Sequence, residues 1–203
     1  MLGSISHEMI LEKGEVWPTI DEIIHDKKID LLIAGTHGRS GLSKAIIGSV
    51  AEQIMRNARC PVLTIGPNVP ATQLRFNRVL YATDFRVESL SAVPFAIYLC
   101  KRSGAQLTLL HCYKTREAID AMQETLREVI PLGTGLNSLP ECLLKAAHHR
   151  NAILGLAHQQ EANLIVLGVR RAKWHSKLAT HLTDSTTYHV ISQAECPVLT
   201  ICN

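Results

Sequence analysis

The hexapeptide Cys-Pro-Val-Leu-Thr-Ile occurs twice in this chain, at Cys60–Ile65 and at Cys196–Ile201. Upstream of each lies a second apolar run that ends in glycine. These runs are Asp30-Leu31-Leu32-Ile33-Ala34-Gly35 and Asn163-Leu164-Ile165-Val166-Leu167-Gly168. The offset is 133 between the glycines and 136 between the cysteines, so the second copy carries three extra residues between its runs. Self-similarity of this kind means one structural unit made twice. The boundary falls at Gly66-Pro67-Asn68-Val69-Pro70-Ala71, whose Pro/Gly content suits a linker. The chain divides into a partial unit at residues 1–67 and a full unit at residues 75–203.

The second unit reads as strands alternating with helices. Arg78 to Thr83 is a strand ending at Asp84. Leu90, Val93, Ile97 and Cys100 fall at helical spacing, Pro94 sits near that helix's start, and Gly104 stops it. Strands are expected at Gln106–Cys112, Leu139–Ala146, Asn163–Gly168 and Pro197–Ile201. Helices are expected at Glu117–Val129, Asn151–Glu161 and Ser185–Ala194. Alternation of this kind implies a parallel sheet covered on both faces, and five strands make an open, doubly wound α/β domain. The first unit supplies only the third to fifth strands. His7–Glu12 is expected to be its third strand, Pro18–Lys28 a helix, and Asp30–Gly35 and Pro61–Ile65 the remaining strands. Nothing in it corresponds to Arg78–Val129, so a strand edge and an apolar helix face are expected to stay uncovered.

The stretch Asp30–Val50 carries the chemistry. A buried-strand run stops at Gly35, a polar loop contains Gly38, and Gly48-Ser49 opens a helical pattern. Glycine lets backbone approach a ligand closely, and the first N–H groups of a helix can bind an anion. Here Gly35, Thr36-His37, Gly38, the residues Arg39–Ile47 and Gly48-Ser49 fit Gly-x2-Gly-x9-Gly-Ser without a gap. Together with the preceding strand, the following helix and the Cys-Pro-Val-Leu strand, this resembles the universal stress protein family.

The resemblance implies a five-stranded parallel sheet of the adenine nucleotide alpha hydrolase-like kind. It also implies stress-response function and binding of ATP or another adenine nucleotide. The residues implied in the first copy are Gly35, Thr36, His37, Gly38, Arg39, Gly48, Ser49 and Val50. The second copy offers the family's strand-end aspartate as Asp84, after Thr83. Its loop departs from the pattern: Gly168 remains, Arg171 stands where the second glycine belongs, and Asp184-Ser185 stands opposite Gly48-Ser49. An aspartate there repels phosphate. One copy therefore keeps the phosphate half of a site and the other keeps the adenine half, with Thr83, Asp84, Gly168 and Ser185 as weaker candidates. The family pairs through its last strand. The expected join is a pseudo-dimer within the chain, or a homodimer, through Cys60–Ile65 and Cys196–Ile201. Such a join would keep the two half-sites apart. A nucleotide-free member acting as an interaction scaffold is the alternative reading.

Composition sets the remaining bounds. Hydrophobic residues make up 46% and charged residues 19%, enough for an ordinary core. The net charge of +3, from 21 basic and 18 acidic residues, argues against nucleic acid or an anionic membrane as partner. No apolar run approaches the roughly 20 residues of a membrane span. Met1–Ile10 lacks a signal-peptide pattern, so a cytoplasmic protein is expected. The six cysteines form no C-x-x-C pair and read as reduced core thiols. The spacings among His148, His149, His175, His181 and His189 match no zinc pattern, so no metal of its own is expected. Arg170–Trp174 reads as a decayed ligand loop rather than a nucleic-acid patch. There is no nucleophile elbow or P-loop lysine, so no enzyme is expected, and the sequence shows no base for a weak ATPase, the third reading.

Overall fold

The repeated hexapeptide becomes a strand in both copies, and those two strands join the copies into one sheet. In a computed structural model of the chain, describing residues 5–36, 47–70, 75–114, 118–170 and 186–202, the strands are β1 (Leu32–Gly35), β2 (Val62–Ile65), β3 (Arg78–Thr83), β4 (Gln106–Tyr113), β5 (Glu141–Ala146), β6 (Leu164–Val169) and β7 (Val198–Cys202). The helices are α1 (Val16–Asp26), α2 (Ser49–Asn57), α3 (Val87–Leu90), α4 (Val93–Ser103), α5 (Ile119–Glu128), α6 (His149–Gln159) and α7 (Thr186–Gln193). The strand order is β1-β2-β7-β6-β3-β4-β5. Every neighbouring pair is parallel except β2 and β7, which run antiparallel. The expected five-stranded parallel sheet is present as β7-β6-β3-β4-β5, and the partial copy extends it to seven strands.

Local chemistry sets the ends of these elements. Pro94 occupies the first turn of α4, where a missing N–H costs nothing, and Gly104 closes the helix in the left-handed region (φ 71°). The strands of the full copy are continuous apolar runs because helices cover both faces. One core layer joins Leu80, Leu110, Ile153, Ile165 and Val190, and the other joins Tyr81, Ala96, Leu109, Leu126 and Val166. Both layers reach into the first copy. Ile47 and Ala51 belong to the former and Leu63 to the latter. All six cysteines are free; burial pushes the Cys100 and Cys196 thiols up to about 12 and Cys112 to about 11.

The strand expected at His7–Glu12 is not formed. Residues 6–13 carry no strand pairing and are exposed, lying along α1, where Glu8 pairs with Lys27 at 2.9 Å. A third strand needs a neighbour to receive its N–H and C=O groups, and among the described residues of this copy none adjoins it. The expected open edge is present. Leu31 and Ile33 are 44% and 59% exposed, whereas their counterparts Leu164 and Val166 are fully buried. β6 lies between β7 and β3; β1 has β2 on one side and, among the described residues, no strand on the other.

Candidate functional site

The first copy's glycine loop is pinned at both ends. Thr36, just past β1, is buried and donates its N–H to the Ile65 carbonyl at 3.1 Å. Its own carbonyl accepts the Gly48 N–H at 2.8 Å. Gly48 is the N-cap of α2, extended (φ −61°, ψ 148°) and without a side-chain cap. The first helical bond runs from Glu52 N–H to the Gly48 carbonyl, so the amides of Ser49, Val50 and Ala51 form the open first turn. Ser49 and Val50 are exposed. The Gly48 N–H, one of the groups expected at an anion-binding helix start, is already donated to Thr36 O, which leaves the Ser49 and Val50 amides. Glu52 sits in the same first turn, but its charge is held by Arg56 at 2.6 Å. Gly35 is exposed at the end of β1. His37, Gly38 and Arg39 lie outside the described residues.

The second copy forms a crevice of about 460 Å³ at the C-terminal ends of β3, β4 and β6, beside the start of α7. This is where the strand order reverses, the usual ligand position in such sheets. Of the sequence candidates it brings together Thr83, Asp84 and Gly168; Ser185 lies outside the described residues, as do Arg171 and Asp184. Asp84 accepts the Arg86 N–H at 3.1 Å and meets the Arg86 guanidinium at 3.5 Å.

Gly168 has a packing reason to be glycine. A Cβ there would lie 2.5 Å from Ser89 Cα and 2.7 Å from the Ser89 carbonyl, and closer still to the Glu88 carbonyl. The close approach that glycine permits is taken by the backbone of α3. By contrast, a Cβ at Gly48 would meet Thr36 O at an ordinary 3.5 Å.

The crevice also holds His111 and Ser89, which sequence reasoning did not single out, and His149, which it weighed only as a metal ligand. His111 Nδ1 lies 2.9 Å from the Thr83 carbonyl; a carbonyl only accepts, so Nδ1 carries the proton. Phe85, in the left-handed region (φ 64°), stacks on the His111 ring at 4.1 Å. The Ser89 hydroxyl lies 3.0 Å from Thr83 Oγ1. His149 faces the same space, and burial, then the nearby His111 and Lys114 charges, hold its pKa below the usual histidine value. The signal for His111 was a lone imidazole inside an apolar strand; nothing local marked Ser89. A larger, mostly apolar groove of about 900 Å³ between α4 and α5 adjoins this cluster through Phe85, which lines it.

Among the described residues the two half-sites lie apart. The antiparallel join of β2 and β7 makes β1 and β6 run in opposite directions, so their C-terminal ends, Gly35 and Val169, lie at opposite ends of the strands. Among the described residues no group of His, Cys, Asp or Glu is arranged to hold a metal ion. No helix among the described residues is long and apolar enough to cross a membrane.

Residues 2–66 and 140–201 match the model of the universal stress protein family. The chain belongs to the universal stress protein family. The two matched segments are the same portion of the two copies, each ending with the repeated hexapeptide strand. A universal stress protein of Methanocaldococcus jannaschii is 48% identical over 46 residues, covering 23% of this chain and 27% of that relative. The chain thus matches about a quarter of that relative's length. Among solved structures, a universal stress protein from Archaeoglobus fulgidus superposes with a TM-score of 0.74 at 24% identity, over 91% of this chain and 66% of that one. A universal stress protein solved in complex with cAMP superposes with a TM-score of 0.51 at 22% identity, over 63% of this chain and 97% of that one. These likenesses establish the α/β fold shared with the family.

Proposed function

We propose that this universal stress protein is a cytoplasmic stress-response protein that binds an adenine nucleotide such as ATP through the loop of its first copy. The observation that carries the reading is the double pinning of that loop at Thr36 and Gly48. It sets the open first turn of α2, with the Ser49 and Val50 amides and the Ser49 hydroxyl, beside the end of β1. A helix start presents N–H groups and a favourable dipole to phosphate oxygens. Gly35, Thr36, His37, Gly38 and Arg39 supply the rest of the cradle. A family relative solved with cAMP supports a nucleotide as the ligand class. Thr83, Asp84, Gly168 and Ser185 form the weaker second position. The proposal assigns binding and makes no claim of hydrolysis.

The test is titration with a fluorescent ATP analogue, on the native chain and on Gly48→Asp. Aspartate suits an N-cap, so that variant keeps the helix while placing a negative charge at the phosphate position. Saturable binding that Gly48→Asp abolishes supports the proposal. No binding by the native chain defeats it.

The exposed face of Leu31 and Ile33 favours a second reading, a nucleotide-free scaffold that assembles through this edge or as a homodimer. Concentration-dependent association in sedimentation, unaltered by nucleotide, is its signature.

A further inference from the structure

The peptide that leads into the first copy's phosphate site is held by the second copy. The Ile47 N–H donates to the Tyr188 hydroxyl at 3.1 Å, in a buried bond between residues 141 apart in sequence. The next amide, that of Gly48, donates to Thr36 O. Two consecutive N–H groups are therefore fixed from two different copies, immediately before the first turn of α2. Packing reinforces the directional bond. Ile47 and Ala51 share a core cluster with Tyr188, Val190 and Ile191 of α7, and both Ile47 and Tyr188 are buried.

The two copies differ at this position. The first-copy counterpart of Tyr188, 136 residues earlier, is Glu52, which pairs with Arg56 inside its own helix. The reciprocal peptide would be the one at position 183, which lies outside the described residues.

We propose that Tyr188 is a positioning residue: the second copy's α7 sets the direction of the Ser49 and Val50 amides in the first copy's site. Tyr188 touches no ligand in this scheme. Its hydroxyl fixes the Ile47 peptide, that peptide fixes Gly48, and Gly48 fixes the helix start. A few tenths of an ångström there decide whether the amides converge on one phosphate oxygen, because hydrogen bonds weaken steeply with angle. The ligand half of this inference rests on the proposed nucleotide binding; the geometric half does not.

The experiment compares Tyr188→Phe with the native chain and with Thr64→Val. Phenylalanine keeps the ring in the cluster and removes only the hydroxyl. Thr64→Val removes another buried hydrogen bond between the copies, from Thr64 Oγ1 to Val198 O, in the β2–β7 join rather than at the Ile47 peptide. Amide hydrogen exchange at Ile47, Gly48 and Ser49 is read alongside affinity for the fluorescent ATP analogue. Loss of one buried hydrogen bond corresponds to a change of about tenfold. Exchange at Ile47 is expected to accelerate about tenfold and affinity to fall by a similar factor in Tyr188→Phe. Both should stay at native values in Thr64→Val. Unchanged exchange at Ile47 in Tyr188→Phe overturns the positioning role. So does an equal loss of affinity in both variants, which would mark a general stability effect. If the native chain binds no nucleotide, the proposed function fails, while the exchange comparison still decides the role of Tyr188.

Discussion

Leu63 and Leu199 face each other in the antiparallel join of β2 and β7, and each is the other's counterpart in the repeat. Equivalent residues meet in this way only on an axis that exchanges the copies. The flanking pairs obey the same rule: Val62 stands opposite Thr200, and Thr64 opposite Val198. Thr64 Oγ1 donates to Val198 O at 3.0 Å, and Thr200 Oγ1 donates to Val62 O at 3.3 Å. The join is an isologous interface built inside one polypeptide.

Equal roles on the axis imply equal costs. Thr64→Val and Thr200→Val each lose one buried hydroxyl bond while keeping the branched shape, and each is expected to destabilise by about 1 kcal/mol. Urea unfolding of the two single variants checks this. A cost confined to one of them would show that the pseudo-symmetry is geometric only.

Gly168 and Gly155 should respond to alanine with opposite signs. At Gly168 the added methyl meets the Glu88 and Ser89 backbone, and overpacking against backbone costs about 1–3 kcal/mol. At Gly155, within α6, nothing lies within 4 Å of the added atom. Alanine in an open helix position is favoured over glycine by roughly 0.5–1 kcal/mol. Thermal unfolding measures both; stabilisation by Gly168→Ala would mean that α3 yields freely.

His149 makes stability depend on pH. Burial first, then the positive charges of His111 and Lys114, lower its folded pKa below 6.5, with Asp84 opposing more weakly. Between that lowered value and 6.5 the unfolded chain binds more protons than the folded one, so stability declines as pH falls through this window. His149→Gln, which cannot protonate, should flatten that slope in urea midpoints taken stepwise through the window. An identical slope in both proteins would remove His149 from the explanation.

Much of the architecture was legible because it is local. The buried runs at Leu164–Gly168 and Pro197–Ile201, the Pro94 start and the Gly104 stop each announce themselves within a few residues. The repeat extended this reading, since the hexapeptide named both strands of the join before any geometry was known. His7–Glu12 failed because a strand is a property of pairs: Met9, Ile10 and Leu11 look apolar enough, yet no described strand of their own copy receives them. The crevice was legible only at Asp84, Thr83 and Gly168. Ser89, His111 and His149 come from α3, β4 and α6, and only the winding of the sheet makes them neighbours. Tyr188 was silent for the same reason, its partner lying 141 residues away.

The join of β2 to β7 has a further consequence for how such a chain can change. In a two-chain dimer, every substitution on the axis is made twice, so neither side can be altered alone. Here Leu63 and Leu199 are encoded separately, and each copy meets mutation once. Tyr188, which holds the Ile47 peptide, has glutamate at its counterpart position 52, an asymmetry that a dimer of identical chains cannot write into its sequence. Covalent linkage leaves one copy free to lose residues that the other still depends on.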